Sequence, residues 1–290
     1  MSVDVALSRD GRRLHLHEGP IDLMIEAWGE ANEIAAAHAQ AIAAFDGLLT
    51  ELAAELPLLR QPLVDVPPAL NGSVAQRMAA ACWPHRAAFI TPMAAVAGAV
   101  ADHVLAAMCR DRFLSKAYVN DGGDIAFHLS SGEQFTCGMV ADLRAASIAG
   151  RIKLSADMPV RGIATSGAPT KGSGGRSFSL GIADAVTVLA ESAAAADAAA
   201  TIIANAVDLP DHPGIRRVPA WSLDPDSDLR GRLVTIDVPK LDASAVDRAL
   251  RGGWEVADAL RARGHIYGAV LALQGRFAIS NAIERWLLAA

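Results

Sequence analysis

Residues 185–207 of the chain read AVTVLAESAAAADAAATIIANAV, and this stretch joins a strand pattern to a helix pattern. The first part contains β-branched and aliphatic residues and closes a predicted strand over residues 176–190. Ser192 is a favoured helix N-cap, and the alanine-rich run after it predicts a helix that ends near Pro210. The stretch therefore predicts a mixed fold in which alanine-rich helices pack against strands.

The patterns on both sides agree with this fold class. RRLHLHE and IDLMIEAWG alternate in the strand period around Gly19-Pro20, which predicts a hairpin. Further helices are predicted from Ala31 to Leu56, closed by Pro57, and over residues 74–82, 93–110 and 243–263, with a short terminal helix. Further strands are predicted at KAYVN, IAFHLS, FTCGMV, LVTIDV, residues 159–165 and a hairpin near the C-terminus. We therefore expect an α+β fold, with antiparallel sheets packed against long Ala-rich helices. Because we find no repeat or linker, we expect residues 1–290 to form one domain.

Composition and charge exclude some function classes. The chain is 52% hydrophobic but only 5% aromatic, so alanine, leucine, isoleucine and valine must build the core. The formal charge of -6 and the dispersed basic residues argue against a nucleic-acid partner, which needs a clustered positive surface.

Apolar stretches and cysteines indicate the compartment. The start of the chain lacks the apolar core of a secretory signal. The stretch Met93 to Leu105 is interrupted by Asp102-His103, so we expect no membrane span. The three cysteines are too widely spaced for a disulfide framework or a zinc site, so we expect a cytoplasmic location: Cys82, Cys109 and Cys137.

Three oxygen-bearing side chains recur at helical spacing after Ser192. Asp197, Thr201 and Asn205 are four residues apart and share one helix face. Mg²⁺ typically takes one or two carboxylates and completes its shell with carbonyls, water and phosphate, so this row could hold Mg²⁺. The alternative is structural: Asp197 favours the positive end of its helix, and Thr201 bonds a backbone carbonyl.

Two glycine-rich segments are candidates for ligand contacts. GIATSG (162–167) leads into the loop APTKGSGGRS, whose backbone N–H groups, hydroxyls and basic residues Lys171 and Arg176 could hold a phosphate. The alternative is a flexible hairpin connection. NDGGD (120–124) is likewise either part of a binding site or an ordinary hairpin turn.

Taken in order, these segments resemble the ApbE family, magnesium-dependent enzymes that cleave FAD and attach FMN to a Thr or Ser of a target protein. The similarity lies in AVAGAVAD (95–102), NDGGDI (120–125), GIATSG (162–167) and AVTVLAESAAAADAAAT (185–201). The chain resembles an uncharacterised ApbE-related family more closely still, over most of residues 12–208.

The resemblance implies a fold and a set of site residues. The fold would be a single large ApbE-like (T-fold-related) domain. Asp197 and Thr201 would bind the metal through their side chains, and Ala200 and Val96 through their carbonyls. The cofactor would contact Asp102, Gly122, Gly123, Asp124, Thr165, Ser166 and Gly167, and the loop adds Arg176.

The chain departs from the family pattern in three places. Ala97 stands where the family has a Lys before the glycine, which removes a positive charge near the expected pyrophosphate. The family's His-x-x-Asp-Pro segment is replaced by SLGIADA (179–185), so no catalytic residue is assigned. We also expect no lipidated or secreted start of the kind common in the family.

Two functions remain open at this stage. We expect a protein that binds a flavin such as FAD, a nucleotide or a related cofactor with Mg²⁺, without assured FMN transfer, in methanopterin-linked one-carbon metabolism. The alternative is a Mg-dependent FAD:protein FMN transferase or FAD pyrophosphatase, acting on a dinucleotide pyrophosphate. The expected partner is a small-molecule cofactor, and the sequence leaves open whether the chain forms a homo-oligomer.

Overall fold

The computed structural model describes residues 3–140, 148–167, 178–280, 283 and 287–288. Its helices are α1 (Ala31–Phe45), α2 (Leu48–Leu59), α3 (Ser73–Cys82), α4 (Val96–Cys109), α5 (Ala193–Ala206) and α6 (Ala243–Ala262). Its strands are β1 (Asp4–Leu7), β2 (Arg13–Glu18), β3 (Ile21–Gly29), β4 (Leu114–Asp121), β5 (Asp124–Leu129), β6 (Gln134–Val140), β7 (Ile148–Ser155), β8 (Gly162–Ser166), β9 (Ala185–Ala190), β10 (Arg216–Pro219), β11 (Leu233–Asp237), β12 (Gly268–Leu273), β13 (Arg276–Ile279) and β14 (Leu287–Leu288).

The chain divides into two compact units. The first contains residues 1–135, 154–164 and 190–197, and the second contains residues 136–153, 165–189 and 198–290. Helix α5 begins in the first unit and continues into the second. The expectation of one domain stays a prediction.

The first unit contains an antiparallel sheet in the order β1-β2-β3-β4-β5-β8. Strand β2 alternates as the sequence predicts, with Leu14 and Leu16 buried and the residues between them partly exposed. These leucines share one core with alanines of α1 and α4, such as Ala37 and Ala99. The predicted α+β class, with antiparallel strands and Ala-rich helices, is confirmed.

Helix α4, with the turn before it, is a core element of the first unit. By length and composition alone, Pro92–Cys109 could cross a membrane. Half of this segment is nevertheless buried inside the protein, and its buried residues include Val100 and Val104. This burial is typical of the central helix of a globular unit.

The described residues of the second unit contain three small groups of strands: β9-β12-β13, β10-β11 and β6-β7-β14. The first two groups and the β7–β14 pair are antiparallel. Helix α6 packs on β12 and β13. Its N-terminus is capped by Asp242, whose carboxylate accepts a hydrogen bond from the backbone N–H of Ala245 (2.8 Å).

Some predicted elements were wrong. The long helix from Ala31 to Leu56 is two helices, because Gly47 adopts a left-handed backbone (φ +79°) between them, and Pro57 lies inside α2 rather than after it. Of the strand predicted over residues 176–190, the described part forms only β9, while β1, β7, β10 and β14 were not predicted. The loop at 168–177 lies outside the described residues, as does most of the predicted terminal helix.

Candidate functional site

The N-termini of α4 and α5 cross at backbone contact in the first unit. Gly98 lies in the first turn of α4 and is buried. A Cβ atom there would lie 2.3 Å from the carbonyl oxygen of Ala193, far inside van der Waals contact. Gly162 of β8 is equally confined, because its Cβ would lie 2.0 Å from the carbonyl carbon of Ser192. The lack of a side chain at Gly98 therefore allows close approach of another backbone, here that of a helix.

Each of the two helices caps the other with a carboxylate. Asp102 of α4 accepts hydrogen bonds from the backbone N–H groups of Ala193 (3.0 Å) and Ala194 (2.9 Å). Asp197 of α5 accepts one from the N–H of Gly98 (3.1 Å). These N–H groups have no partner within their own helices, so the exchange satisfies donors that the crossing would otherwise leave buried and unpaired.

Ser192 is the N-cap that the sequence predicts. Its hydroxyl oxygen accepts a hydrogen bond from the backbone N–H of Ala195 (3.2 Å). Together with Asp102, it satisfies the N–H groups of the first three residues of α5.

The predicted NDGGD turn is a two-residue hairpin loop in the same unit. Asp121 and Asp124 pair across the ends of β4 and β5, and Gly122 and Gly123 form the loop with φ of +63° and +113°. The side-chain oxygen of Asn120 accepts a hydrogen bond from the N–H of Gly123 (2.8 Å). Cβ atoms on the two glycines would meet no atom within 4 Å, so the loop borders open space.

The aspartates of the crossing and of the turn influence one another. Burial raises the pKa of Asp197 well above its ordinary value, and the charges of Asp124, Asp121 and Asp102 raise it further, while the Gly98 hydrogen bond opposes them. Burial also raises the pKa of Asp102, against its hydrogen bonds from α5 and the positive charge of Arg77. The first unit thus concentrates negative charge around the partly buried carboxyl group of Asp197.

These carboxylates do not form a metal cage on their own. Within the described residues, no three His, Cys, Asp or Glu side chains are placed to hold one ion. A cation bound near Asp197 would need carbonyl, hydroxyl, water or ligand oxygens as well, which is usual for Mg²⁺.

Cys82 is a buried neighbour of Asp197 that the sequence did not single out as a site residue. Burial, and then the charge of Asp197, raise the pKa of its thiol well above the ordinary value. Its thiol lies 3.9 Å from the carbonyl oxygen of Pro92. A protonated, enclosed thiol is a poor nucleophile, so Cys82 serves packing.

The other predicted metal ligands lie on α4 and α5. Thr201 follows Asp197 by one turn of α5 and is partly exposed, whereas Ala200 is buried. Val96 is the first residue of α4. A helical carbonyl oxygen that accepts its intrahelical bond keeps a second lone pair, so Ala200 and Val96 stay predicted carbonyl ligands.

The second unit contains the predicted Thr165, Ser166 and Gly167. The hydroxyls of Thr165 and buried Thr187 lie 3.0 Å apart. Gly167 has φ +136°, and its Cβ would lie 3.0 Å from backbone atoms of residues 183–185. This position therefore requires glycine. Arg176 lies outside the described residues.

Asp184, in the segment that replaces the family's histidine motif, is buried. Its carboxylate accepts a hydrogen bond from the backbone N–H of Gln274, where the β12–β13 turn has positive φ. Asp184 thereby stabilises that turn.

A cleft of about 530 Å³ in the second unit holds none of the predicted residues. It is lined by Lys240, Leu241, Ala243, Val246, Gln274 and Arg276. The Arg276 guanidinium lies 3.0 Å from Asp247, so an acidic partner already neutralises that cation.

Sequence reasoning missed Asp121 and the capping exchange. Asp121 lies opposite Asp124 because the loop between them contains only the two glycines. The sequence contained a signal for this pair, since a two-residue loop determines which strand residues lie opposite each other. The exchange joins residues more than 90 positions apart, as for Asp102 and Ala193, and no local pattern marks such a contact.

The family model described as "AbpE bacteria" matches residues 5–279. A UPF0280 protein of Methanospirillum hungatei is 34% identical over 50% of this chain and 55% of its own length. The UPF0280 protein of Methanosphaerula palustris is 36% identical over 52% of this chain and 60% of its own length. The chain thus spans little more than half the length of these curated relatives. A mutant of the flavin transferase ApbE from Vibrio cholerae is 14% identical with a TM-score of 0.49, and the similarity covers 94% of this chain and 99% of that one.

Proposed function

Because the chain belongs to the family described as AbpE bacteria, we propose that it binds a flavin, a nucleotide or a related cofactor with Mg²⁺. The proposed site lies beside the crossing of α4 and α5 and the Gly122-Gly123 turn. The observation that carries the proposal is the position of Asp197 at the crossing, where its carboxylate accepts a hydrogen bond from the N–H of Gly98 (3.1 Å) and the charges of Asp124 and Asp121 help to raise its pKa.

The residues present fit Mg²⁺. A cation near Asp197 would offset the repulsion that Asp124 and Asp121 exert on this carboxyl group and that raises its pKa. Asp197 would supply a carboxylate, while Thr201, Val96 and Ala200 stay predicted metal ligands on the basis of the resemblance. One carboxylate with neutral oxygens suits a hard ion that keeps water and phosphate in its shell.

The chain's own residues would position the cofactor. Bound Mg²⁺ would neutralise negative charge on the cofactor's phosphate oxygens. Gly122 and Gly123 carry no side chain and border open space, so a ligand can reach their backbone, and Asp124 lies next to them. Asp102 would support the site by fixing the N-terminus of α5. Thr165, Ser166, Gly167 and Arg176 stay predicted cofactor contacts on the basis of sequence order.

Binding without FMN transfer is favoured over the alternative function, a Mg-dependent FAD:protein FMN transferase or FAD pyrophosphatase. Transfer needs a group that takes the proton of the acceptor hydroxyl. The chain has no histidine between His128 and His212, so the segment that provides this residue in the resembled family lacks it. Ala97 also leaves the site without the family's lysine. A cytoplasmic location and a role in methanopterin-linked one-carbon metabolism belong to the proposal through the resemblance alone.

Thermal unfolding with FAD, FMN or ATP, in Mg²⁺ and in EDTA, tests the binding proposal. A ligand at about 100 times its Kd should stabilise the protein by about 2.7 kcal/mol. We expect one of these ligands to raise Tm in Mg²⁺ only. Asp197→Asn should abolish the shift, while Asp258→Asn, at an exposed acidic position on α6, should keep it. No shift with any ligand, or equal shifts in both variants, would contradict the proposal.

A separate assay tests transfer. The protein is incubated with FAD, Mg²⁺ and a candidate acceptor protein, and AMP and flavinylated acceptor are measured. We expect neither product. Formation of AMP that Asp197→Asn abolishes would establish the alternative, an enzyme acting on the pyrophosphate.

A further inference from the structure

Strand β1 forms an edge of the sheet in the first unit. It pairs antiparallel with β2, with Val5 opposite Leu16 and Leu7 opposite Leu14. Within the described residues, β2 is the only strand that pairs with β1. The opposite side of β1 is therefore a candidate for further strand pairing.

The backbone hydrogen bonds between β1 and β2 determine which N–H and C=O groups of β1 point away from β2. The N–H of Ser8 donates to the carbonyl oxygen of Arg13 (2.9 Å), so the N–H and C=O groups of Ser8 face β2. In an antiparallel pair this direction alternates along the strand. The N–H and C=O groups of Val5 and Leu7 therefore point away from β2.

The same two residues carry exposed apolar side chains. Val5 is 49% exposed and Leu7 is 58% exposed. Because their partners Leu14 and Leu16 are buried, Val5 and Leu7 lie on the core face of the sheet, at its uncovered margin. Of the usual protections of an edge strand, β1 has a short length of four residues and one charged residue, Asp4, but no lysine, proline or bulge.

We propose that β1 pairs antiparallel with β1 of a second copy of this chain, so that the two sheets join into one. With a two-fold axis perpendicular to the sheet, the core faces of both copies lie on the same side of the joined sheet. This requires that every residue of one β1 pairs with a residue of the other β1 whose side chain lies on the same face. Registers centred on Val5 or on Ala6 satisfy this condition. In the first, Val5 meets Val5 of the second copy, and in the second Val5 meets Leu7.

The charges on β1 agree with self-pairing. In these two registers, Asp4 lies opposite Ala6 or Ser8 of the second copy, so no like charges face each other. The residues whose backbone groups point outward are also those with exposed apolar side chains. The strand is thus complementary to itself in backbone direction, face and charge.

Light scattering coupled to size exclusion tests this interface on the full chain. We expect the wild type to have the mass of two chains in the micromolar range, and Val5→Lys and Leu7→Lys to have the mass of one. Val66→Lys, at an apolar loop residue that is 74% exposed, is the matched control and should keep the dimer. Unchanged far-ultraviolet circular dichroism and Tm would show that the variants fold.

Crosslinking provides a second measurement that does not depend on disrupting the strand. Ala6→Cys should form a disulfide between copies in the register centred on Ala6, and Val5→Cys in the register centred on Val5. The wild type, with buried Cys82 and partly exposed Cys109 and Cys137, is the background. A monomeric wild type would overturn the proposal, as would a dimer kept by both lysine variants without crosslinks at either position.

Discussion

Gly98→Ala is the substitution that most sharply perturbs the crossing of α4 and α5. The new Cβ would lie 2.3 Å from the carbonyl oxygen of Ala193 and 2.7 Å from the backbone nitrogen of Ala194. Both are backbone atoms and cannot move aside by a rotamer change. The helices must therefore separate, which also stretches the capping bonds from Gly98 to Asp197 and from α5 to Asp102.

The expected magnitude follows from three contributions. Overpacking costs about 1–3 kcal/mol. Loss of the caps costs about 1 kcal/mol for each helix. The higher helix propensity of alanine stabilises the variant by about 1 kcal/mol, which partly offsets these losses. We expect a net loss of about 3 kcal/mol in the free energy of unfolding, and a Tm lower by about 10 °C.

Thermal and denaturant unfolding followed by circular dichroism measures this loss. Ala106→Ser is the matched control, because it also adds one heavy atom to α4 but at an exposed position. We expect this control to cost about 0.5 kcal/mol. If Gly98→Ala is no less stable than the control, the two helices do not cross at backbone contact.

Three further predictions concern the same region. The raised pKa of Asp197 means that the folded state holds this proton more tightly than the unfolded state, so Mg²⁺-free stability should fall as pH rises from about 4 towards 7. Asp197→Asn should flatten that decline, and an equally steep decline in the variant would show that Asp197 is not its cause. Gly123→Ala should cost about 1–2 kcal/mol through its φ of +113° alone, read from Tm, and an unchanged Tm would contradict this conformation. Cys82 should resist iodoacetamide at neutral pH until the protein is denatured, and its rapid alkylation in the native state, detected by mass spectrometry, would disprove its burial.

The features that were predicted correctly are those that depend on neighbouring residues in the sequence. Ser192 begins α5 as its N-cap because serine placed before an alanine run satisfies the first N–H groups. The turn at Gly122-Gly123 follows from two glycines between alternating strands, since both positions need positive φ. The helix that ends at Phe45 was predicted to continue because leucine and alanine follow it, but the left-handed backbone of Gly47 ends it there.

What could not be predicted depends on contacts between distant segments. The order of motifs indicated Asp102 and Asp197 as site residues, but their local context showed neither the cap that Asp102 gives α5 nor the one that Asp197 gives α4. The structural alternative placed Asp197 at the positive end of its own helix, α5. Asp197 does lie near a helix N-terminus, but its carboxylate caps α4. Asp184 likewise bonds a turn 90 residues away.

Native mass spectrometry of the full chain, purified in Mg²⁺ and then treated with EDTA, tests the central claim most directly. We predict a retained small molecule with the mass of a flavin or nucleotide, lost after EDTA and absent from Asp197→Asn. A chain that carries no ligand in either condition, or one that keeps its ligand after EDTA and in Asp197→Asn, would contradict a Mg²⁺-dependent cofactor site at the crossing of α4 and α5.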